Sequence, residues 1–359
     1  MLRIGLLTSG GDCQALNATM RAIVKTMVNR AAEPVEICGF EDGYQGLIYG
    51  RYRVMEASEF EGILALGGTI LGTSRTPFKR LDTPEADGVD KVAAMKETYR
   101  DLSLDCLFVL GGNGSTKTAH RLAQEGLRVI ALPKTIDNDT WGTDLTFGFS
   151  SAVEVATTYI DAIRTTASSH GRVFVVEIMG HKVGWIPLHA AVAGGADVCL
   201  IPEIPYEMDR VAAAVERALD AGSRCAIVAV AEGALSSEEA ALPKKEYKKR
   251  VASRTAPSVA YEIARELEAR TGRETRVAAP GHAQRGGAPD AQDRVFATQC
   301  GVEAALGFLE GEHGFMVAQR GGRMCHFALD EVAGKLKRVD PSSDLVREAR
   351  ALGMSFGDE

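Results

Sequence analysis

Short apolar runs alternate along this chain with amphipathic stretches of helical length, and that alternation constrains the fold more than any single motif. Ile4 to Leu7, Val35 to Cys38, Cys106 to Leu110, Val129 to Leu132, Val173 to Val176, Val198 to Ile201 and Cys225 to Ala231 read as strands buried on both faces. Between them, Asn17 to Asn29, Val153 to Thr166, Met208 to Ala221 and Pro257 to Arg270 carry helical periodicity. Strand alternating with helix predicts an α/β fold with parallel sheets and right-handed crossovers. At 359 residues the chain is too long for one ordinary core and fits two lobes.

A formal net charge of -7 argues against nucleic acid or an anionic membrane as a partner, so any bound anion must be caught by a local basic pocket. The seven cysteines are scattered and never spaced as CxxC, which predicts reduced thiols rather than disulfides or a zinc site. With no long apolar segment and no leader pattern, the expected address is cytoplasmic. The Lys-rich run Lys244 to Arg250 reads as a solvated helix face or loop.

Two strands end in glycine-rich turns. Ile4 to Leu7 leads into Thr8-Ser9-Gly10-Gly11-Asp12, and Cys106 to Leu110 leads into Gly111-Gly112-Asn113-Gly114-Ser115; each precedes a helical segment. Backbone N–H groups at such helix starts suit phosphate. One such turn alone is equally explained by glycine's freedom at positive φ. A third segment, Gly67 to Arg75, adds a guanidinium able to grip a phosphate. After Val129 to Leu132 comes Pro133-Lys134-Thr135-Ile136-Asp137-Asn138-Asp139, where acids at i and i+2 of an extended segment would face the same way. A carboxylate beside a reacting hydroxyl can take its proton, although such residues also form plain Asx turns.

These segments, with Met179-Gly180 and Gly281-His282-Ala283-Gln284-Arg285-Gly286-Gly287, resemble the ordered motif set of the phosphofructokinase A family, over roughly residues 1 to 300. The resemblance implies two Rossmann-like three-layer lobes with the active site in the cleft between them, and a chain that crosses more than once. The expected lobes are 1–147 plus about 284–333 for the phosphoryl donor, and 148–283 plus about 334–359 for the sugar phosphate.

By similarity the reaction is transfer of the γ-phosphoryl of ATP to the 1-hydroxyl of fructose 6-phosphate in glycolysis. Gly11, Arg75, Gly112, Asn113, Gly114, Ser115 and Lys134 would line the donor. Asp137 would be the base, and Asn113 and Asp139 would meet Mg2+. The sugar phosphate would be held by Thr135, Asp137, Arg172, Met179, Gly180, His181, Glu232, Arg276, His282 and Arg285. In the family the arginines matching Arg172 and Arg276 reach the neighbouring subunit's site, which implies a homo-oligomer, dimer or tetramer.

Several positions depart from the family's pattern. Gly114 favours ATP over pyrophosphate, whereas Lys134 is the residue of the pyrophosphate-dependent members and of some ATP-using ones. Asn113 stands where an acid is usual, and His181 replaces an arginine. The alternatives are therefore a pyrophosphate-dependent fructose 6-phosphate 1-phosphotransferase and a catalytically silent sugar-phosphate sensor.

Overall fold

The computed structural model describes residues 1–359, which divide by internal packing into two units: Met1–Ser151 with Arg285–Lys337, and Ala152–Gln284 with Arg338–Glu359. The chain thus passes between units at 151/152, 284/285 and 337/338, a few residues from the expected 147/148, 283/284 and 333/334. Local ties explain two of the differences. The buried Asp293 carboxylate accepts from the amides of Gly148 and Ser151, both at 2.9 Å, so the first turn of the helix Phe149–His170 stays with the first unit. Lys337 stays there because its side chain bonds the loop 138–144.

The first unit holds β1 (Leu2–Ser9), β2 (Val35–Phe40), β3 (Tyr52–Met55), β4 (Cys106–Gly111) and β5 (Val129–Pro133). The second unit holds β6 (Val173–Ile178), β7 (Val198–Leu200), β8 (Ala226–Ala231) and β9 (Thr275–Ala278); the hairpin of β10 (Phe315–Arg320) and β11 (Arg323–Ala328) returns to the first. The first sheet runs β11-β10-β5-β4-β1-β2-β3 and the second β7-β8-β6-β9. The second is parallel throughout. The first is parallel at its centre, as expected, with β3 and β11 as antiparallel edges. A short tight connection can only return antiparallel, and Gly321-Gly322 supplies one between β10 and β11.

The central strands are apolar on both faces and fully buried, as a sheet covered by helices requires. In the first unit Leu7, Phe40, Leu107, Val109, Val129 and Ala131 pack with the helices on one face. Val175, Val228, Val215, Ile263 and Leu267 do the same in the second. Residues 237–240 and 244–252 form two short helices, and the Lys-rich one buries no residue, as a solvated face should. No helix is long and apolar enough to cross a membrane.

Candidate active site

Strand register brings three chemistry-bearing turns to one edge of the first sheet. Ser9 is opposite Gly111 and Gly111 is opposite Pro133, so the turns after β1, β4 and β5 leave neighbouring strands at the same level. β1 is also where the strand order reverses, with β2 on one side and β4 on the other, and such carboxyl-edge crevices hold ligands in open α/β sheets.

The turns differ in how they meet their helices. The helix Asn113–Gln124 starts directly after Gly112, so its first-turn amides face the crevice. The helix after β1 starts only at Leu16, because Cys13 and Gln14 tuck into the interior first. The first glycine turn is therefore not a helix N-terminus, contrary to the sequence expectation. Its Gly10 amide is taken by the Ser74 carbonyl at 3.0 Å and its Gly10 carbonyl by the Thr73 hydroxyl at 2.8 Å, which fixes the segment bearing the exposed Arg75 beside it. Glycine is required at 111, where a Cβ would stand 2.6 Å from the Ser115 hydroxyl. At the exposed Gly114 a Cβ would meet nothing within 4 Å, so a side chain there would project into open space.

Lys134 is 2% exposed and donates to the Gly11 carbonyl, so it braces the first turn from beneath. Burial lowers its pKa to about 8, and the Arg285 guanidinium pushes the same way. The neighbouring Cys13 thiol is pushed up to about 12 by burial, which leaves it inert as a nucleophile. Arg285 packs over Gly11 and donates to the Asp12 carbonyl at 3.1 Å. It thus lies in the first unit with the glycine turns, while Arg172, Arg276 and His282 lie in the second.

The carboxylate turn is not extended. Asn138 is left-handed, with φ of 51°, so the expectation that Asp137 and Asp139 face one way by strand period does not apply. Thr135 accepts from the Asp137 amide at 3.1 Å, and its carbonyl accepts from the Thr146 hydroxyl at 2.7 Å. Asp139, 9% exposed, accepts from the Asn113 side-chain amide at 2.8 Å, so the two residues expected to meet Mg2+ are in contact. No group of three or more His, Cys, Asp or Glu side chains forms a metal cage. One carboxylate and one amide oxygen fit Mg2+ in the way this ion is usually held, by few protein ligands together with phosphates and water.

In the second unit the expected sugar residues separate into two groups. Ile178 is opposite Ala231, so Met179, Gly180 and His181 leave β6 level with Glu232 leaving β8, and Glu232 accepts from the His181 amide at 2.7 Å. Met179 donates its amide to the buried Gln284 at 3.3 Å. Arg172 instead precedes β6, roughly 20 Å from that edge at strand rise. It meets Glu274 at 2.8 Å, and Arg276 bonds the same carboxylate. His282 is exposed on the 3-10 turn Gly281–Arg285. The Arg172 bond, followed by the two positive charges, holds the Glu274 carboxyl below its usual pKa. Glu274 and Gln284 were not singled out from sequence. Glu274 was within reach, since an acid two places before Arg276 at a strand start shares its face.

Residues 3–307 match the family described as Phosphofructokinase. The chain is 51% identical over 358 residues, 99% of its length and 97% of the relative's, to the ATP-dependent 6-phosphofructokinase of Spirochaeta thermophila. It is 42% identical over 341 residues, 95% of its length and 97% of the relative's, to the pyrophosphate–fructose 6-phosphate 1-phosphotransferase of Amycolatopsis methanolica. Pichia pastoris phosphofructokinase, solved in the T-state, superposes with a TM-score of 0.80 at 30% identity over 98% of this chain, which spans 37% of that longer one. With its carboxyl-edge turns and this match over most of its length, the chain belongs to the phosphofructokinase family.

Proposed function

We propose that this protein is an ATP-dependent 6-phosphofructokinase of the cytoplasm, transferring the γ-phosphoryl of ATP to the 1-hydroxyl of fructose 6-phosphate in glycolysis. The observation that carries the reading is the alignment of the glycine turns at Gly11 and Gly112–Ser115 with the Asp137–Asp139 turn on three adjacent strands. Phosphoryl transfer asks little covalent chemistry of a protein beyond in-line positioning and charge stabilisation, and these turns supply both.

Asp137 takes the proton of the sugar 1-hydroxyl as the new P–O bond forms. Amides at the start of the helix Asn113–Gln124 and the Arg75 guanidinium meet the donor phosphates, while Lys134 holds the Gly11 turn in shape. Magnesium held by Asn113, Asp139 and the donor would screen the phosphate charges. Met179, Gly180, His181 and Glu232 face the sugar hydroxyls from one edge of the second sheet. Arg172 and Arg276 supply the cations for a 6-phosphate, and His282 an additional hydrogen-bond donor. The two arginines lie at the other edge of that sheet, which supports their serving the site of a neighbouring copy in a closed homo-oligomer.

Pyrophosphate as donor is favoured by Lys134 alone. Its ammonium is buried against a backbone carbonyl, a bracing role that suits either donor. The open space at Gly114 favours the bulkier ATP. Incubation with fructose 6-phosphate, ATP and Mg2+, followed by phosphorus NMR, tests the reading. A new phosphomonoester on carbon 1 with stoichiometric ADP is expected; no new ester, or one elsewhere on the sugar, would overturn it.

A further inference from the structure

The segment Lys335–Lys337 lies antiparallel beside the Asp137–Trp141 turn, and three contacts fasten it there. The Lys337 amide donates to the Asp139 carbonyl at 2.8 Å, Leu336 forms an antiparallel bridge with Thr140, and the Lys335 ammonium stands 4.2 Å from the Trp141 ring centroid. The Lys337 ammonium then reaches both arms of the loop. It donates to the Asn138 side-chain oxygen at 2.9 Å and to the carbonyls of Thr143 and Asp144, each at 2.8 Å.

Asn138 lies between the proposed base and the proposed metal ligand. It is buried in a left-handed conformation that an L-residue leaves readily unless it is held. Its amide nitrogen donates to the Asp144 carbonyl at 3.3 Å, and its oxygen faces Lys337 and the Thr146 hydroxyl. An ammonium offers three donors, and here three acceptors on the turn use them. The chain continues from this strap into the second unit, where Arg338 donates to the Lys182 carbonyl at 3.3 Å. The Val339 amide there donates to Glu203 at 3.1 Å, the carboxylate that also accepts from Gly184.

We propose that Lys337 is a positioning residue for phosphoryl transfer: through Asn138 it fixes the backbone that aims Asp137 and Asp139, without touching either substrate. This rests on the reaction proposed above. Misaiming a base by about an ångström lowers turnover on the order of 100-fold while leaving binding intact. The effect should therefore fall on kcat and spare KM.

The test uses Lys337→Met and Asn138→Gly, the second keeping a residue at ease with positive φ while deleting the acceptor. Each should lower kcat about 10- to 100-fold with KM for sugar and donor within about threefold. The double variant should be no slower than the worse single one, since both remove one interaction. Trp141 emission, read in a Trp185→Phe background where it is the remaining tryptophan, should change in Lys337→Met without any ligand. Singles with kcat within twofold of the parent, losses that multiply, or a defect confined to KM would overturn the proposal. Should Lys337→Met fail to fold, full turnover in Asn138→Gly would still overturn it. An inactive parent would instead refute the proposed reaction, and Trp141 emission alone would then decide the strap.

Discussion

The Asn113 side chain donates its amide to the Asp139 carboxylate across 2.8 Å, which joins the first residue of a helix to the acid two places beyond the candidate base. An aspartate at 113 would replace that bond with two carboxylates in contact. Without magnesium, Asn113→Asp should lose about 2 kcal/mol of stability, from the charged hydrogen bond alone. Magnesium, if held there, should restore much of it by neutralising the two acids. Melting curves in EDTA and in magnesium check this; equal magnesium shifts for variant and parent would remove position 113 from the metal site.

Asp137 follows Thr135, whose hydroxyl accepts its amide, so a short polar replacement keeps the turn. Asp137→Ser should lower kcat about 10²- to 10⁴-fold with sugar affinity little changed. Steady-state kinetics beside direct titration of fructose 6-phosphate separates the two quantities.

Gly114 is exposed in the first turn of its helix, where an acid is favourable and nothing obstructs a side chain. Gly114→Asp should fold at least as stably as the parent. Its kcat/KM for ATP should fall by about tenfold or more, as expected when an anion is set against a phosphate at 1–2 kcal/mol of repulsion. A variant that keeps ATP turnover would show that the open space at 114 does not decide the donor.

Lys134 should appear in the pH dependence of stability. Its folded pKa is depressed to about 8, so between pH 8 and its ordinary 10.5 the unfolded chain binds a proton that the folded chain does not. Its contribution is therefore fully present above the unfolded value and is lost as pH falls to the folded one. Relative to Lys134→Met, the parent should gain on the order of 3 kcal/mol between pH 8 and 10.5. Denaturant titrations of both proteins at the two ends of that window measure it.

The buried central strands of both sheets were legible because each is a short apolar run bounded by turn residues. The edges were not. β3 exposes most of its side chains, and β9 has four residues, too few for a period. The β10–β11 hairpin does carry a signal, Gly321-Gly322 between two short runs of strand length. The site turns were legible because each follows a readable strand. The left-handed Asn138 was not foreseen, and it undid the strand-period argument for the two acids. Lys337 lay beyond sequence reasoning, since its partner Asn138 is 199 residues away.

The most direct measurement is the initial rate of fructose 1,6-bisphosphate formation from fructose 6-phosphate and magnesium, with ATP or pyrophosphate at matched concentrations. Turnover with ATP that exceeds any with pyrophosphate is the expected result. Turnover with pyrophosphate alone would contradict the donor assignment and give Lys134 the deciding role, and no turnover with either would contradict the proposed function itself.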